Sequence, residues 1–208
     1  YIIFTDEITY FKNDEEIFTN NYSKAINDGI IIEAEKFIYY KNLNIINAIN
    51  EVKIDDDNQD VIIFTDQVTY KKNQEEILTK GETRALVENN YEFLSTDVFI
   101  DRNKMEMSSN NKTEIFDKND NFYDLSEFIY FKESYLLKAK NVKVITNKSV
   151  KDKSDTFKFS DGFFNLKNNN FNASNTEIFL HKNIFDNDDN DPRLKGVSSF
   201  KKNEITQI

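Results

Sequence analysis

"IIFTDEITYFKNDEEIFTNNYSKAI", which runs from Ile2 to Ile26, returns sixty residues later as "IIFTDQVTYKKNQEEILTKGETRAL", from Ile62 to Leu86. The two stretches are identical at 14 of 25 positions, far above chance. A more distant copy, "IIEAEKFIYYKNLNIINAINEVKI", lies between them, from Ile31 to Ile54. Such self-similarity predicts a chain built from stacked repeats.

The repeats can be counted through an anchor residue that is followed nine positions later by a small residue. The six anchors are Tyr10, Tyr39, Tyr70, Ile100, Tyr130 and Phe164. Their small partners are Thr19, Ala48, Thr79, Ser109, Ala139 and Ala173. Further apolar residues lie two before and seven after the anchor, with Gly162 as the exception: Ile8, Ile17, Phe37, Ile46, Val68, Ile77, Val98, Met107, Phe128, Leu137 and Phe171. Six units of roughly 30 residues therefore cover the chain to about Leu180.

The spacing inside a unit is typical of β-strands. Steps of two between apolar residues place them on one face of a strand. A further apolar position lies seven residues before the anchor, so the step to the next one is odd, and this predicts a bulge or bend. The polar stretch after the anchor has turn chemistry. Each unit therefore reads as strand, turn and strand, which predicts an all-β, elongated stack of about 12 antiparallel strands.

Composition limits the classes of function. The chain has 208 residues, a net charge of −10, 38% hydrophobic residues and no cysteine. The negative charge argues against nucleic acid as a partner, and no apolar run is long enough for a membrane-spanning helix. Disulfides and thiolate zinc sites are excluded. The abundance of Asn is attributed to compositional bias and is given little structural weight.

No motif predicts catalysis, a metal or a cofactor. The acidic stretches Asp55 to Asp60 and Asp186 to Asp191 resemble the start of a calcium loop, but neither has Gly at the sixth position or Glu at the twelfth. His181 is the single histidine, which argues against a histidine metal site or a catalytic triad. We therefore predict no catalytic residues, no metal ligands and no cofactor.

The unit written most clearly in Ile32 to Ile54 resembles the OstA/LptA-like repeat of the lipopolysaccharide transport system. The tail from Asn190 to Ile208 resembles the segment by which LptD-like outer-membrane proteins leave their periplasmic domain. The residues that carry this second likeness are Pro192, Arg193, Leu194, Gly196, Thr206 and Ile208. The resemblance implies a V-shaped, two-sheet β-jellyroll over residues 1–182, followed at 183–208 by an acidic loop and an exit segment toward an absent C-terminal β-barrel.

The resemblance also implies a function. A groove of inner side chains would carry the lipid A acyl chains of lipopolysaccharide through the periplasm of a Gram-negative bacterium, as part of an outer-membrane protein. The groove candidates are Ile8, Tyr10, Ile17, Phe37, Tyr39, Ile46, Val68, Tyr70, Ile77, Val98, Ile100, Met107, Phe128, Tyr130 and Leu137. An LptA-like bridge protein would add a strand to an edge formed by Ile2, Ile3, Phe4 and Thr5. An LptE-like lipoprotein would bind through the missing barrel.

Several alternatives stay open at this stage. Every groove candidate is also what plain core packing predicts. Within the family, an LptA- or LptC-like bridge is the alternative; outside it, a β-solenoid scaffold or adhesion module with a ligand-free core, and more remotely an enzyme acting on surface polysaccharide. The lysines Lys138, Lys140, Lys143 and Lys148 could meet anionic head groups or form an ordinary solvated strand face.

Overall fold

The computed structural model describes residues 1–185, 192–203 and 205–208, and these residues form antiparallel β-strands with three short 3₁₀ turns. The predicted all-β antiparallel class is confirmed. The prediction of a jellyroll of about 12 strands is wrong, because the described residues form 18 strands. Four of the expected strands are each divided in two at a bend, and the tail adds two more.

The chain divides into two compact units, Tyr1–Met107 and Ser108–Ile208. In unit 1 each strand pairs with its neighbours along the chain in antiparallel register. Its strands are β1 (Ile2–Phe11), β2 (Glu16–Asn27), β3 (Ile30–Ala34), β4 (Lys36–Tyr40), β5 (Ile45–Asp56), β6 (Val61–Lys71), β7 (Glu76–Val87), β8 (Tyr91–Thr96) and β9 (Phe99–Asp101). Strand β10 (Glu106–Ser109) includes the boundary between the units.

Unit 2 repeats this antiparallel succession. Its strands are β11 (Thr113–Asp117), β12 (Phe122–Leu125), β13 (Glu127–Phe131), β14 (Leu136–Ile145), β15 (Thr156–Asn165), β16 (Asn170–Phe179), β17 (Arg193–Lys202) and β18 (Ile205–Gln207). The short 3₁₀ turns are Lys132–Ser134, Lys151–Lys153 and Lys182–Phe185. The predicted exit segment thus supplies two strands, and a Cβ added to Gly196 would lie 2.2 Å from Ile208, so this glycine makes room for Ile208.

A bend in the middle of each repeat strand is confirmed where the odd apolar step predicts it. The register between β1 and β2 shifts between Thr5 and Glu7, and that between β6 and β7 shifts between Thr65 and Gln67. In the second unit of the repeat the strand is interrupted altogether, between β3 and β4. An extra residue on one strand reverses the alternation of faces, so the apolar side chains stay inward on both sides of the bend.

The returning strand bends at a residue that lies eleven positions after the anchor. Five of the six residues at this position are asparagine and one is glycine: Asn21, Asn50, Gly81, Asn111, Asn141 and Asn175. All but Asn111 have the positive φ of the left-handed region, between 49° and 93°. Asparagine and glycine tolerate this region better than other residues. Giving asparagine little structural weight was therefore wrong at these positions.

The turns of successive repeats are hydrogen-bonded to one another. The residue five positions after each anchor has a positive φ, as in Glu15, Asn44 and Glu75. Its carbonyl accepts a hydrogen bond from the next turn: Lys41 N–H reaches the Glu15 carbonyl at 3.1 Å, and Arg102 N–H reaches the Glu75 carbonyl at 2.9 Å. These bonds satisfy backbone groups that a lone hairpin would leave to water.

Hydroxyl groups replace ladder hydrogen bonds at two bends. Thr19 Oγ1 accepts from Phe37 N–H at 2.9 Å, and Thr79 Oγ1 accepts from Val98 N–H at 2.8 Å. Both threonines are buried small partners of an anchor. A threonine at this position therefore supplies an acceptor where the strand pairing is interrupted, because buried N–H groups need partners.

The left-handed bend residue can be tested at Asn21, which is exposed and has φ of 63°. We expect Asn21→Val to lower the free energy of unfolding by about 1–2 kcal/mol, because Asn tolerates the left-handed region and a β-branched residue does not. Asn21→Gly, which copies Gly81, should change it by less than about 0.5 kcal/mol. Urea denaturation measures both, and equal effects of the two substitutions would contradict the explanation.

Candidate functional site

The structure places most of the groove candidates on the buried face of the strands. Eleven of the fifteen are buried: Phe37, Ile46, Val68, Tyr70, Ile77, Val98, Ile100, Met107, Phe128, Tyr130 and Leu137. Ile17 and Tyr39 are half-buried. This agrees with the predicted inward positions, and it is compatible with a lipid path and with an ordinary core alike.

The remaining two candidates, Ile8 and Tyr10, lie on β1 and are exposed, with relative exposures of 60% and 48%. Within unit 1, β1 pairs with β2 alone, so one backbone edge has no neighbouring strand in that unit. Of the predicted edge residues, Ile2 and Phe4 are exposed while Ile3 and Thr5 are half-buried. Strand β1 therefore presents apolar side chains on both faces.

Two sets of turns define the ends of the bent strands. In unit 1 the A turns are residues 12–15, 41–44, 72–75 and 102–105, which follow the anchors. The B turns, at the opposite ends of the same strands, are residues 28–29, 57–60 and 88–90. Side chains from the two sets contact each other, so the bend brings the two ends of the strands together.

Arg102, in an A turn, makes that contact through a buried ionic network. Its Nε and Nη2 donate to the two carboxylate oxygens of Asp56 at 2.6 and 3.1 Å. Its Nη1 donates to Glu75 and, at 3.0 Å, to the hydroxyl of Tyr70. In the B turn that follows Asp56, Gln59 Nε2 donates to the Arg102 carbonyl at 2.6 Å. The side chains of Arg102 and Asp56 are only 8% and 4% exposed.

The network shifts the pKa values of its members. Burial opposes the charge on Arg102, but the hydrogen bond and charge of Asp56 outweigh it and raise the pKa of the guanidinium. Burial likewise opposes the charge on Glu75, yet hydrogen bonds from Lys72 and Tyr70 and the charge of Arg102 hold the pKa of this carboxyl below its usual value. Burial, followed by the hydrogen bond to Glu75, raises the pKa of Tyr70. Arg102, Glu75 and Tyr70 thus keep the forms that hydrogen-bond best.

Tyrosine rings extend the contact beside the ions. The ring of Tyr1, which precedes β1, packs edge-on against Tyr39 and Tyr70, with ring centroids 5.4 and 6.3 Å away. The hydroxyl of Tyr1 is buried and has no hydrogen-bond partner among the described residues. We call the set of Tyr1, Tyr39, Tyr70, Arg102 and Asp56 the rim cluster.

Unit 2 has a cavity between its own A-turn and B-turn ends. The cavity volume is about 90 Å³ and its lining is largely apolar. Four phenylalanines from β15 and β16 line it, with ring centroids 5.1 to 6.3 Å apart: Phe157, Phe159, Phe164 and Phe171. The polar residues of the lining are Asn121, Thr146, Asn165, Asn169, Asn170 and Lys201. Small-molecule sites are typically lined by apolar and aromatic side chains with a small number of polar groups.

Charge is distributed unevenly along the chain. Residues 1–107 contain 11 basic and 22 acidic residues, a net charge of −11, whereas residues 108–208 contain 16 basic and 15 acidic residues, a net charge of +1. The unit with the cavity is thus the less acidic one. An anionic ligand would be repelled less by unit 2 than by unit 1.

The four lysines considered as a head-group site have different neighbours. The Lys138 ammonium lies 5.9 Å from the ring centroid of Phe163, and that of Lys148 lies 3.7 Å from the ring centroid of Phe122. Lys140 pairs with Glu127 at 2.7 Å. Lys138, Lys140 and Lys143 are exposed on β14, and Lys148 is exposed in the turn that follows it, so the four lysines do not share one strand face.

Sequence reasoning singled out Tyr39 and Tyr70 but missed the ion pair of Arg102 and Asp56 in the rim cluster. Only three of the 27 basic residues are arginines, and Arg102 occupies a turn position held by lysine in four other units and by Leu166 in the last. A forked guanidinium suits bidentate pairing with a carboxylate better than an ammonium does. An isolated arginine in a lysine-rich repeat was therefore a usable signal.

The predictions about metal sites and membrane-spanning helices can be compared with the described residues. Within residues 1–185, 192–203 and 205–208, no group of three or more His, Asp or Glu residues could hold a metal ion. His181 Nδ1 lies 2.7 Å from Asp155. The second acidic stretch, Asp186 to Asp191, falls outside the described residues. No helix in the described part of the chain has the length and apolar character needed to cross a membrane.

Comparison with models of known protein families finds no match to this chain, and comparison with curated proteins also finds none. The geometry of the two units and the repeat itself are therefore the basis for assigning a function.

The pKa of Glu75, which accepts a hydrogen bond from Arg102, gives a test of the ionic contacts made by the rim cluster. Because it is lowered from the usual 4.5, ionised Glu75 stabilises the fold above that pH, and this contribution disappears as the pH falls through the lower folded value. We expect the wild type to be more stable than Glu75→Gln at pH 7 and the difference to shrink toward pH 3. Chemical denaturation at each pH measures it; a difference that is constant with pH would contradict the ionic role.

Proposed function

We propose that this chain is a lipid-conducting and docking domain of an LptD-like lipopolysaccharide assembly protein in the periplasm of a Gram-negative bacterium. The observation that carries the proposal is the phenylalanine-lined cavity of unit 2, whose lining is largely apolar with a few polar groups. The repeat that resembles the OstA/LptA-like unit supports the same function. The LptE-like partner depends on the resemblance alone.

The energetics suit a hydrocarbon ligand. Each buried CH₂ group contributes about 0.8 kcal/mol, so even the end of an acyl chain gains appreciably from a phenylalanine-lined cavity. Phe159 and its neighbours offer surface contact with few directional groups, which favours holding a chain without fixing one position. Lys201, which also lines the cavity, offers a positive charge to a polar or anionic head group.

The exposed strand β1 supports docking of an LptA-like bridge protein. Unpaired strand edges add strands from other proteins. Here the apolar side chains of Ile8 and Tyr10, which occupy inner positions of the repeat, lack the cover that the corresponding Phe37 and Val68 have. A partner that continued the repeat would cover them and pair with the edge at the same time.

A ligand-free scaffold is the second candidate. The observation in its favour is unit 1, where the groove candidates from Phe37 to Met107 are mostly buried and the rim cluster joins the two ends of the strands. A core of this kind holds a repeat together without any lipid. The two candidates differ in whether lipid contacts the inner side chains.

Photocrosslinking tests the lipid path. A photoreactive residue replaces Phe159 in the cavity of residues 1–208, and purified lipopolysaccharide is added. We expect labelled lipid at this position and little at the control position Tyr22, which is 56% exposed on the surface. Val144→Phe, which fills the cavity that Val144 lines, should reduce the labelling. Equal labelling at Phe159 and Tyr22, or none at either, would favour the scaffold.

Docking at β1 is tested with Ile8→Lys. Since Ile8 is 60% exposed, we expect the free energy of unfolding to change by less than about 0.5 kcal/mol. The added charge should weaken binding of an LptA-like bridge protein, measured by biolayer interferometry. Val197→Lys adds the same charge at a residue that is 84% exposed on β17, which pairs with β16 and β18 and not with β1, and it should leave binding unchanged. If both variants bind as the wild type does, the partner does not use this edge.

A further inference from the structure

The two units differ at equivalent places in the repeat. In unit 1, Arg102 of an A turn connects to Asp56 at the start of a B turn, and both side chains are nearly inaccessible. In unit 2, the A-turn residue Asn169 and the B-turn residue Asn121 line an open apolar cavity. The repeat position of Arg102 is there occupied by Leu166, which is buried and uncharged.

We propose that Arg102 is a latch that holds the A turns and B turns of unit 1 together, so that a hydrocarbon chain enters the interior of unit 1 only when the Arg102–Asp56 pair separates. This inference depends on the proposed lipid path for its biological meaning. The separation of the two sets of turns is a property of the protein alone and can be measured without lipid.

An ion pair suits a reversible closure because both of its groups can be hydrated when they separate. Burying the two charges costs desolvation free energy, and removing one partner leaves the other charge buried without its partner. On opening, the guanidinium and the carboxylate of Asp56 regain water, whereas apolar side chains at the same place would lose their burial. Gln59 and Glu75 give the closed state its geometry, since they hold the backbone and the second arm of the guanidinium.

The tyrosines of the rim cluster lie directly behind the latch. Tyr70 donates to Glu75 at 2.8 Å and accepts from Arg102. Its ring is 6.3 Å from Tyr1, which comes from the opposite ends of the strands. When Arg102 separates from Asp56, the ring contacts of Tyr1 and the Gln59 hydrogen bond still connect the two sets of turns.

Spin-label distances test the latch directly. The chain has no cysteine, so Asp57→Cys and Asn103→Cys place one label on an exposed B-turn residue and one on an exposed A-turn residue. We expect a narrow distance distribution for the otherwise wild-type protein. Arg102→Met should increase the population of long distances by at least about tenfold, because a buried pair is worth more than the 1.4 kcal/mol that corresponds to that factor.

Arg84→Met is the matched control. Arg84 pairs with Glu92 at 2.5 Å in the same unit, but its side chain is 48% exposed. The substitution removes the same charge and should leave the distances unchanged. An unchanged distribution in folded Arg102→Met, or an equal increase in Arg84→Met, would overturn the latch.

Arg102→Lys serves if Arg102→Met does not fold. It keeps the charge but cannot make the paired contact with Asp56 and the contact with Glu75 together. A partial increase in long distances is then the expected result, and a distribution identical to that of the wild type overturns the proposal.

A lipid measurement separates this inference from the proposed function. A photoreactive residue at Val68, inside unit 1, should label lipopolysaccharide more strongly in Arg102→Met than in the wild type, while labelling from Phe159 stays constant. If neither site labels lipid while long spin-label distances still increase in Arg102→Met, the lipid path is contradicted and the latch is supported. If lipid is labelled but the spin-label distances do not change, the latch is contradicted and the lipid path is supported.

Discussion

The bend in the middle of each strand is the constraint on which the rest of this structure depends. A straight hairpin stack would leave one apolar face in water, and two-stranded units cannot bury such a face alone. A left-handed Asn or Gly, together with the extra residue that its own strand carries at the same point, allows the strand to turn while its apolar side chains stay inward. The same turn brings the A-turn and B-turn ends of unit 1 within hydrogen-bonding distance.

The two units differ in the chemical groups that lie between their A-turn and B-turn ends. Unit 1 places a guanidinium, two carboxylates and tyrosines between the ends, and unit 2 places phenylalanines around a cavity of about 90 Å³. The inner faces are similar, since both are rows of interchangeable apolar side chains. What differs is the group at the opening, and a charged group can be hydrated where an apolar one cannot. Two units built from the same repeat thus differ in how accessible their interiors are.

The excess of acidic residues and the uncovered apolar strand edge are found in the same unit. The acidic residues are concentrated in unit 1, whose first strand has uncovered apolar side chains. Such an edge is a liability for an isolated protein and a means of recognition for one with a partner. The near-neutral unit 2 has the apolar cavity with Lys201 at its edge. The uncovered strand edge and the apolar cavity therefore belong to different units.

The sequence alone determined the all-β class, the length of the repeat, the inward positions and the place of each bend, because strand periodicity and turn chemistry are local. It could not give the number of strands, because a strand is divided in two, as between β3 and β4, only where the bend is sharp enough to break its backbone pairing. Tertiary structure alone decided that Arg102 meets Asp56, 46 residues away, and that the corresponding place in unit 2 is open. Contacts between strand ends follow from the angle of the bend, which no local pattern encodes.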